Sequence, residues 1–191
     1  MKVVHPKFIV GIGGSAGALN AYKDLLDAMP PDTGMAFVII SHMNPTAHSQ
    51  LALILQRHTI MSVIAAADAM VILKNHVYVI PPDADLTMDN YRFKVICPRS
   101  GGHKQIDLFF ISLAKAMGEL AVGIVLSGYD GDGTLGCKHI KANGGKTFAQ
   151  DSSAEVNHMP LNAQAAGCID FVLPLNKIPE KIKSLAAALK T

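Results

Sequence analysis

The chain has 191 residues, of which 50% are hydrophobic and 17% are charged, values typical of one folded domain with its own core. The formal net charge is +2 and no basic run carries interleaved aromatic residues, so we expect neither nucleic acid nor a membrane surface as partner. No apolar run reaches the ~20 residues of a membrane span, and the N-terminus lacks the pattern of a signal peptide. Cys97, Cys137 and Cys168 lack metal-ligand spacing and are expected to be reduced core thiols of a cytoplasmic protein.

Short apolar runs alternate with helical patterns, which predicts an α/β fold whose mainly parallel sheet is covered on both faces. The predicted strands are residues 8–12, 36–40, 62–65, 77–80, 121–126, 147–149 and 169–172. The predicted helices are residues 17–29, 51–57, 106–117, 132–142 and 176–189. Segments 86–88 and 92–96 flank a turn signal and are expected to form an antiparallel hairpin at the sheet edge.

A glycine-rich segment, Gly11 to Gly17, lies between the first predicted strand and the first predicted helix. As a dinucleotide-binding turn it would require an acidic residue at the end of the second strand, but that strand ends in Ser41-His42. As a G-x-S-x-G turn it would present the Ser15 hydroxyl as a nucleophile and leave backbone N–H groups free for an oxyanion. An ordinary turn in which Ser15 only caps the helix is the alternative.

Two further loops are expected at the same edge of the sheet, because the carboxyl ends of parallel strands meet there. His42 follows the second strand and is the candidate base for the serine hydroxyl. The loop after strand 121–126 supplies Asp130 and Asp132, and either can orient the imidazole through Nδ1–H. The alternative for Asp132 is a cap of the following helix.

The chain order Ser-His-Asp differs from the Ser-Asp-His order of α/β-hydrolases. Keeping that order here would require His139 or His158 as the base, which we favour less.

With these three loops, the sequence resembles the catalytic domain of the chemotaxis protein-glutamate methylesterases, the CheB family, from about Phe8 to about Ile182. Seven stretches carry the resemblance: residues 11–17, 41–43, 79–82, 106–109, 125–128, 132–133 and 148–151. Residues 30–37 and 170–174 are most similar to the methylesterase part of fused methylesterase–methyltransferase sensory proteins.

The resemblance implies a nucleophile at Ser15, a base at His42, an acid at Asp132 and backbone oxyanion donors at Ala16 and Tyr129. It also implies a three-layer α/β/α sandwich with a Rossmann-like sheet. The implied reaction is hydrolysis of glutamate γ-methyl esters on a chemoreceptor, with deamidation of glutamines, and without a metal or organic cofactor. A catalytically weak sensory or interaction module that keeps the fold is the alternative.

Asp130 is the rival of Asp132 and is expected to lie nearer solvent. Contact of Asp130 instead of Asp132 with His42 Nδ1 would overturn our assignment of the acid.

His103, Lys104 and Arg99 are candidate substrate-rim residues, because their charge can steer an acidic receptor helix toward the site. A solvated connection without a binding role is the alternative. Met43, Met117 and Met159 are candidates for lining a cleft, with core packing as their alternative.

We expect residues 1–191 to form a single catalytic domain, with no receiver domain before Phe8 and therefore constitutive activity. Besides the methylated chemoreceptor, fused or separate methyltransferase and sensory modules are the expected partners.

Overall fold

The computed structural model describes residues 4–42, 45–100 and 102–188, with only the backbone for 45–49. Seven strands form one sheet in the order β3-β4-β2-β1-β7-β8-β9, and every pair of neighbours is parallel. Its strands are β1 (Ile9–Gly14), β2 (Ala36–Ser41), β3 (Ser62–Ala65), β4 (His76–Val79), β7 (Ala121–Val125), β8 (Lys146–Gln150) and β9 (Phe171–Leu173). The central strands are continuous apolar runs because both faces of the sheet are covered.

In the described part of the chain, six α-helices cover the sheet: α1 (Ala18–Ala28), α2 (Pro45–Leu55), α3 (Gln105–Met117), α4 (Thr134–Ala142), α5 (His158–Ala165) and α6 (Ile178–Ala188). Buried side chains of α1, α2 and α6 form one hydrophobic cluster with one face of the sheet. Those of α3, α4 and α5 form a second cluster with the other face. The two clusters make the predicted three-layer α/β/α sandwich. Within the described ranges, no helix is both long and apolar enough to cross a membrane.

The predicted hairpin is present as β5 (Asp85–Asp89) and β6 (Arg92–Ile96) and is antiparallel. It does not extend the edge of the main sheet as expected but forms a two-stranded sheet of its own. The reason is its apolar face, since Leu86, Met88 and Phe93 are buried in the same cluster as α3.

The structure differs from the sequence analysis at two further points. Helix α5 was not predicted, and Cys97 is exposed instead of lying in the core, whereas Cys137 and Cys168 are buried free thiols as expected.

The sheet order places three loops side by side. Strand β1 is flanked by β2 on one side and by β7 on the other, in a register that pairs Gly14 with Ser41 and Gly13 with Val125. The next strand in the chain, β2, therefore lies on one side of β1, and the later strand β7 lies on the other. Such a switch point, at the carboxyl ends of the strands, is where open α/β folds form their sites.

Candidate active site

The Ser15 turn is fixed to the loop that follows β7. The Ser15 N–H donates to the Ser127 carbonyl at 2.8 Å, and the Ser127 hydroxyl donates to the Ala16 carbonyl at 2.7 Å. The same hydroxyl accepts the N–H of Val156 at 2.9 Å. Gly17 then starts α1 with a φ of 71°, a conformation that favours glycine. Ser15 therefore sits on a sharp strand-to-helix turn, as the sequence predicts.

Gly128 is the second glycine that the geometry requires. A Cβ at this position would overlap Met159 Sδ and lie 3.1 Å from Ser15 Cβ. The Met159 N–H also donates to the Gly128 carbonyl at 2.9 Å. Met159 is therefore a core side chain that packs under the nucleophile turn. Met117 lies in the core as well, and Met43 lies outside the described residues.

His42 lies directly beside this turn, because its N–H donates to the Gly14 carbonyl at 3.3 Å. Its side chain is 3% exposed and lies between two carboxylates. Nε2 is 2.7 Å from Asp132 Oδ2, and Nδ1 is 3.3 Å from Asp130 Oδ2. The structure thus brings both candidate acids to the imidazole. The expectation that Asp132 contacts Nδ1 is wrong: Asp130 lies at that nitrogen, which overturns the assignment of Asp132 as the acid at Nδ1, and Asp132 instead contacts Nε2.

The Asp132 carboxylate is fully buried and held by backbone donors. Oδ2 accepts the N–H of Ile106, and Oδ1 accepts those of Asp107 and Gly133, each at 2.9 Å. Asp132 therefore caps the N-terminus of α3, a helix that is not its own. In return, Asp107 Oδ1 accepts the Gly136 N–H of α4 at 2.7 Å. This exchange of caps fixes Asp132 relative to both helices.

Asp130 is held more loosely, and it lies nearer solvent, as expected. Its side chain is 39% exposed. Oδ1 accepts the Asp132 N–H at 3.1 Å, and its backbone carbonyl accepts the Asn162 amide at 3.3 Å.

The pKa of His42 is set by opposing effects. Burial, the largest, lowers it, whereas the hydrogen bond and negative charge of Asp132, followed by those of Asp130, raise it. The net effect is a pKa above the ordinary value for imidazole. The base is therefore kept protonated to higher pH than a free histidine would be.

The other two histidines considered as bases do not take this position. His139 lies in the last turn of α4, toward the opposite end of the sheet, and the His158 ring packs edge-on against Tyr129 with centroids 5.7 Å apart.

Two backbone N–H groups remain available beside the nucleophile. Because the Ser15 N–H is bonded to Ser127, the next donors are Ala16 and Tyr129, which make no backbone hydrogen bond through N–H within the described part of the chain. Both flank the Ser15 turn, where an oxyanion would form.

The rim residues divide into two groups. The His103 ring lies 5.4 Å from the His42 ring, centroid to centroid, and exposed Lys104 directly precedes α3. Arg99 instead pairs with Asp83, with Nε 3.5 Å from Oδ1. Of the three predicted rim residues, only His103 therefore has a contact with the candidate base.

Sequence reasoning missed the residues that support this site. The Ser127 hydroxyl bonds to the backbone of two neighbouring loops, and the Asp107 carboxylate bonds to the backbone of α4. Asp85 is buried beneath the rim segment, where it accepts hydrogen bonds from Ser100 and Gln105. Asp107 and Ser127 lie in two of the stretches that carry the family resemblance, but no role was predicted for them from the sequence; for Asp85 the signal was a polar residue beside an apolar strand pattern. The described residues include no cluster of metal-ligating side chains.

A serine, a histidine and an aspartate at three adjoining strand ends of a parallel sheet define a candidate serine hydrolase of the α/β class. Residues 10–182 match the family model described as CheB methylesterase, and the chain belongs to this family.

The chain is 34% identical over 184 residues to a protein-glutamate methylesterase/protein-glutamine glutaminase of Hydrogenovibrio crunogenus, covering 93% of this chain and 49% of that protein. It is 32% identical to a putative protein of the same name from Leptospira interrogans, covering 88% of this chain and 90% of that one. It thus spans about half the length of the first of these relatives. The crystal structure of the Thermotoga maritima CheB methylesterase catalytic domain superposes with a TM-score of 0.85 at 28% identity, covering 93% of this chain and 98% of that one.

Proposed function

We propose that this domain is a protein-glutamate methylesterase that hydrolyses γ-methyl esters of receptor glutamates with Ser15 as nucleophile, His42 as base and Asp132 as orienting acid. The observation that carries the proposal is the buried His42–Asp132 pair, 2.7 Å apart, beside the Ser15 turn in a member of the CheB methylesterase family. Relatives named both methylesterase and glutaminase support glutamine deamidation at the same site.

The geometry suits acyl transfer in two steps. Ser15 Oγ attacks the ester carbonyl while His42 takes its proton, and the N–H groups of Ala16 and Tyr129 stabilise the tetrahedral oxyanion. His42 then returns the proton to the departing methoxide, which leaves as methanol. Water hydrolyses the acyl-enzyme by the same route and releases the glutamate carboxylate.

Asp132 has the role of fixing the imidazole. Its carboxylate is bound to three backbone N–H groups and therefore cannot follow the ring if it rotates. We assign this role to Asp132 over Asp130 because its contact is shorter and fully buried.

We further infer that the partner is a methylated chemoreceptor in the cytoplasm, with methyltransferase and sensory modules as further partners.

Release of labelled methanol from methyl-labelled receptor tests the proposal. Wild type should release it, whereas Ser15→Ala and His42→Ala should each lose about 10⁴-fold or more in rate, and the double variant should be little worse. Ser152→Ala, at an exposed serine of another loop, and His158→Ala are the matched controls and should retain most of the rate. Absence of methanol release by a folded wild-type protein would favour a silent interaction module instead.

A further inference from the structure

The His42 imidazole has one carboxylate at each ring nitrogen. Asp132 lies at Nε2 and Asp130 at Nδ1. Two carboxylates beside one imidazole favour the form with a proton on both nitrogens, because their negative charges stabilise the imidazolium cation. In that form the ring has no lone pair with which to accept the Ser15 proton.

Only one of these two carboxylates is able to move. Asp132 has no exposed side-chain area and is held by three backbone donors. Asp130 is 39% exposed, and the single side-chain hydrogen bond it makes within the described residues joins Oδ1 to the Asp132 N–H. Its other oxygen, Oδ2, is the one that faces Nδ1. Nδ1 is therefore the nitrogen that can be made available to the nucleophile.

We propose that Asp130 is a positioning residue that holds His42 in a resting, doubly contacted state and must release Nδ1 before Ser15 can use the base. This inference rests on the proposed function, since it concerns when that site becomes competent. We place this displacement of Asp130 at the binding of the neutral methyl ester to the Ser15 turn. The product is a glutamate carboxylate, which the Asp130 charge repels and helps to expel.

Among the described residues, three titratable side chains are seen against the His42 ring. Asp130 and Asp132 approach from the loop after β7, and His103 approaches from the segment before α3. Both carboxylates favour the His42 cation. Because only deprotonated His42 acts as a base, activity should rise as pH rises through the His42 pKa. Removal of the Asp130 charge should therefore shift this rise to lower pH.

The test is the pH dependence of kcat/KM for a small soluble methyl ester, between about pH 5.5 and about pH 9. Asp130→Asn keeps the side-chain shape and removes the charge. On the acidic limb its rate should exceed that of wild type by about two- to fivefold, the effect expected for a partly exposed ion pair. The high-pH plateau should be unchanged. Asp32→Asn removes one negative charge from an exposed loop before β2, at the amino-terminal ends of the strands and so at the end opposite to the site. This variant should leave the pH profile as in wild type.

A second readout does not depend on activity. NMR titration of the His42 ring should give a lower pKa in Asp130→Asn than in wild type, and the same pKa in Asp32→Asn. If Asp130→Asn does not fold, Asp130→Ser is the replacement, because a serine hydroxyl can still accept the Asp132 N–H.

Three outcomes would overturn the inference. An unchanged pH profile and an unchanged His42 titration would mean that Asp130 does not act on the base. Loss of activity at every pH would make Asp130 the orienting acid. If Asp130→Asn leaves the His42 titration as in wild type and wild type also releases no methanol, both proposals fail. If Asp130→Asn shifts the His42 titration but wild type releases no methanol, the proposed function alone is rejected.

Discussion

The loop after β7 and the segment before α3 both border His42, yet they are built differently. In the β7 loop, residues 126–133, the Ser127 hydroxyl and the Asp132 carboxylate are buried and bonded to the backbone of neighbouring elements. In the segment before α3, residues 97–104, the side chains of the described residues are exposed. The first loop therefore fixes geometry, whereas the second presents exposed side chains beside it.

The rim segment nevertheless has one anchor. Asp85 is 3% exposed and accepts the N–H and hydroxyl of Ser100 and the amide of Gln105. Burial acts to raise the Asp85 pKa, but the hydrogen bonds from Ser100 and Gln105 and the charge of Arg99 outweigh it, and the net pKa is lowered. The segment is thus attached at its base while its outer side chains stay in water, which suits a recognition surface.

The largest effect should come from Asp132→Asn in the buried loop. The amide cannot replace the carboxylate at all of its donors, so we expect a loss of about 10³- to 10⁴-fold in kcat from misoriented imidazole. The free energy of unfolding should fall by about 1–3 kcal/mol, because one buried donor loses its acceptor. Methanol release and urea unfolding measure the two effects.

Asp130→Asn is the matched control for Asp132→Asn, since the two residues lie two positions apart on the same loop and face the same ring. It should keep the plateau rate and nearly all of the stability. If Asp130→Asn and Asp132→Asn lose activity equally, the difference in burial between the two carboxylates does not decide which one orients His42.

A smaller effect, on stability, should come from Gly128→Ala. The added methyl group would overlap Met159 Sδ, and such overpacking costs about 1–3 kcal/mol. Gly131→Ala is the control in the same loop, because its Cβ would meet nothing closer than an Asn162 atom at 3.8 Å. Urea denaturation should show a lower midpoint for the first variant only, and equal midpoints would mean that the packing under Ser15 is loose.

The features that could be predicted from the sequence are those that the local pattern of apolar residues determines. The continuous apolar runs of β1, β2 and β7 predicted a parallel sheet, and the rule that such strands end at one edge was enough to bring His42 to the Ser15 turn and to Asp132. Which ring nitrogen meets which carboxylate depends on how the β7 loop folds back, so the Asp132 contact with Nε2 was not predictable.

The features that the sequence did not predict were missed because they depend on contacts outside the local pattern. Helix α5 carries Pro160 in its first turn and has little amphipathic character; proline is tolerated at that position, but the helical pattern is lost. The capping of α4 by Asp107 is a tertiary contact between two helices that local sequence does not record. The hairpin was predicted as a unit, but its packing on α3 was not, because an apolar strand face does not specify its partner.

The smallest effect should come from charge reversal in the rim segment. Lys104→Glu with Arg99→Glu places negative charge where an acidic receptor helix would approach, and long-range steering of this kind acts mainly on association. We expect a rise of a fewfold in KM for methylated receptor, declining at high salt because exposed charges are screened. Turnover of a small uncharged methyl ester should hardly change, since it carries no acidic helix. Because Arg99 pairs with Asp83 at 3.5 Å, Lys104→Glu alone should account for most of the effect, and Arg99→Glu alone for little. Equal losses on both substrates would mean that the segment supports the catalytic geometry, and the division between a fixed inner loop and a variable rim would then have to be abandoned.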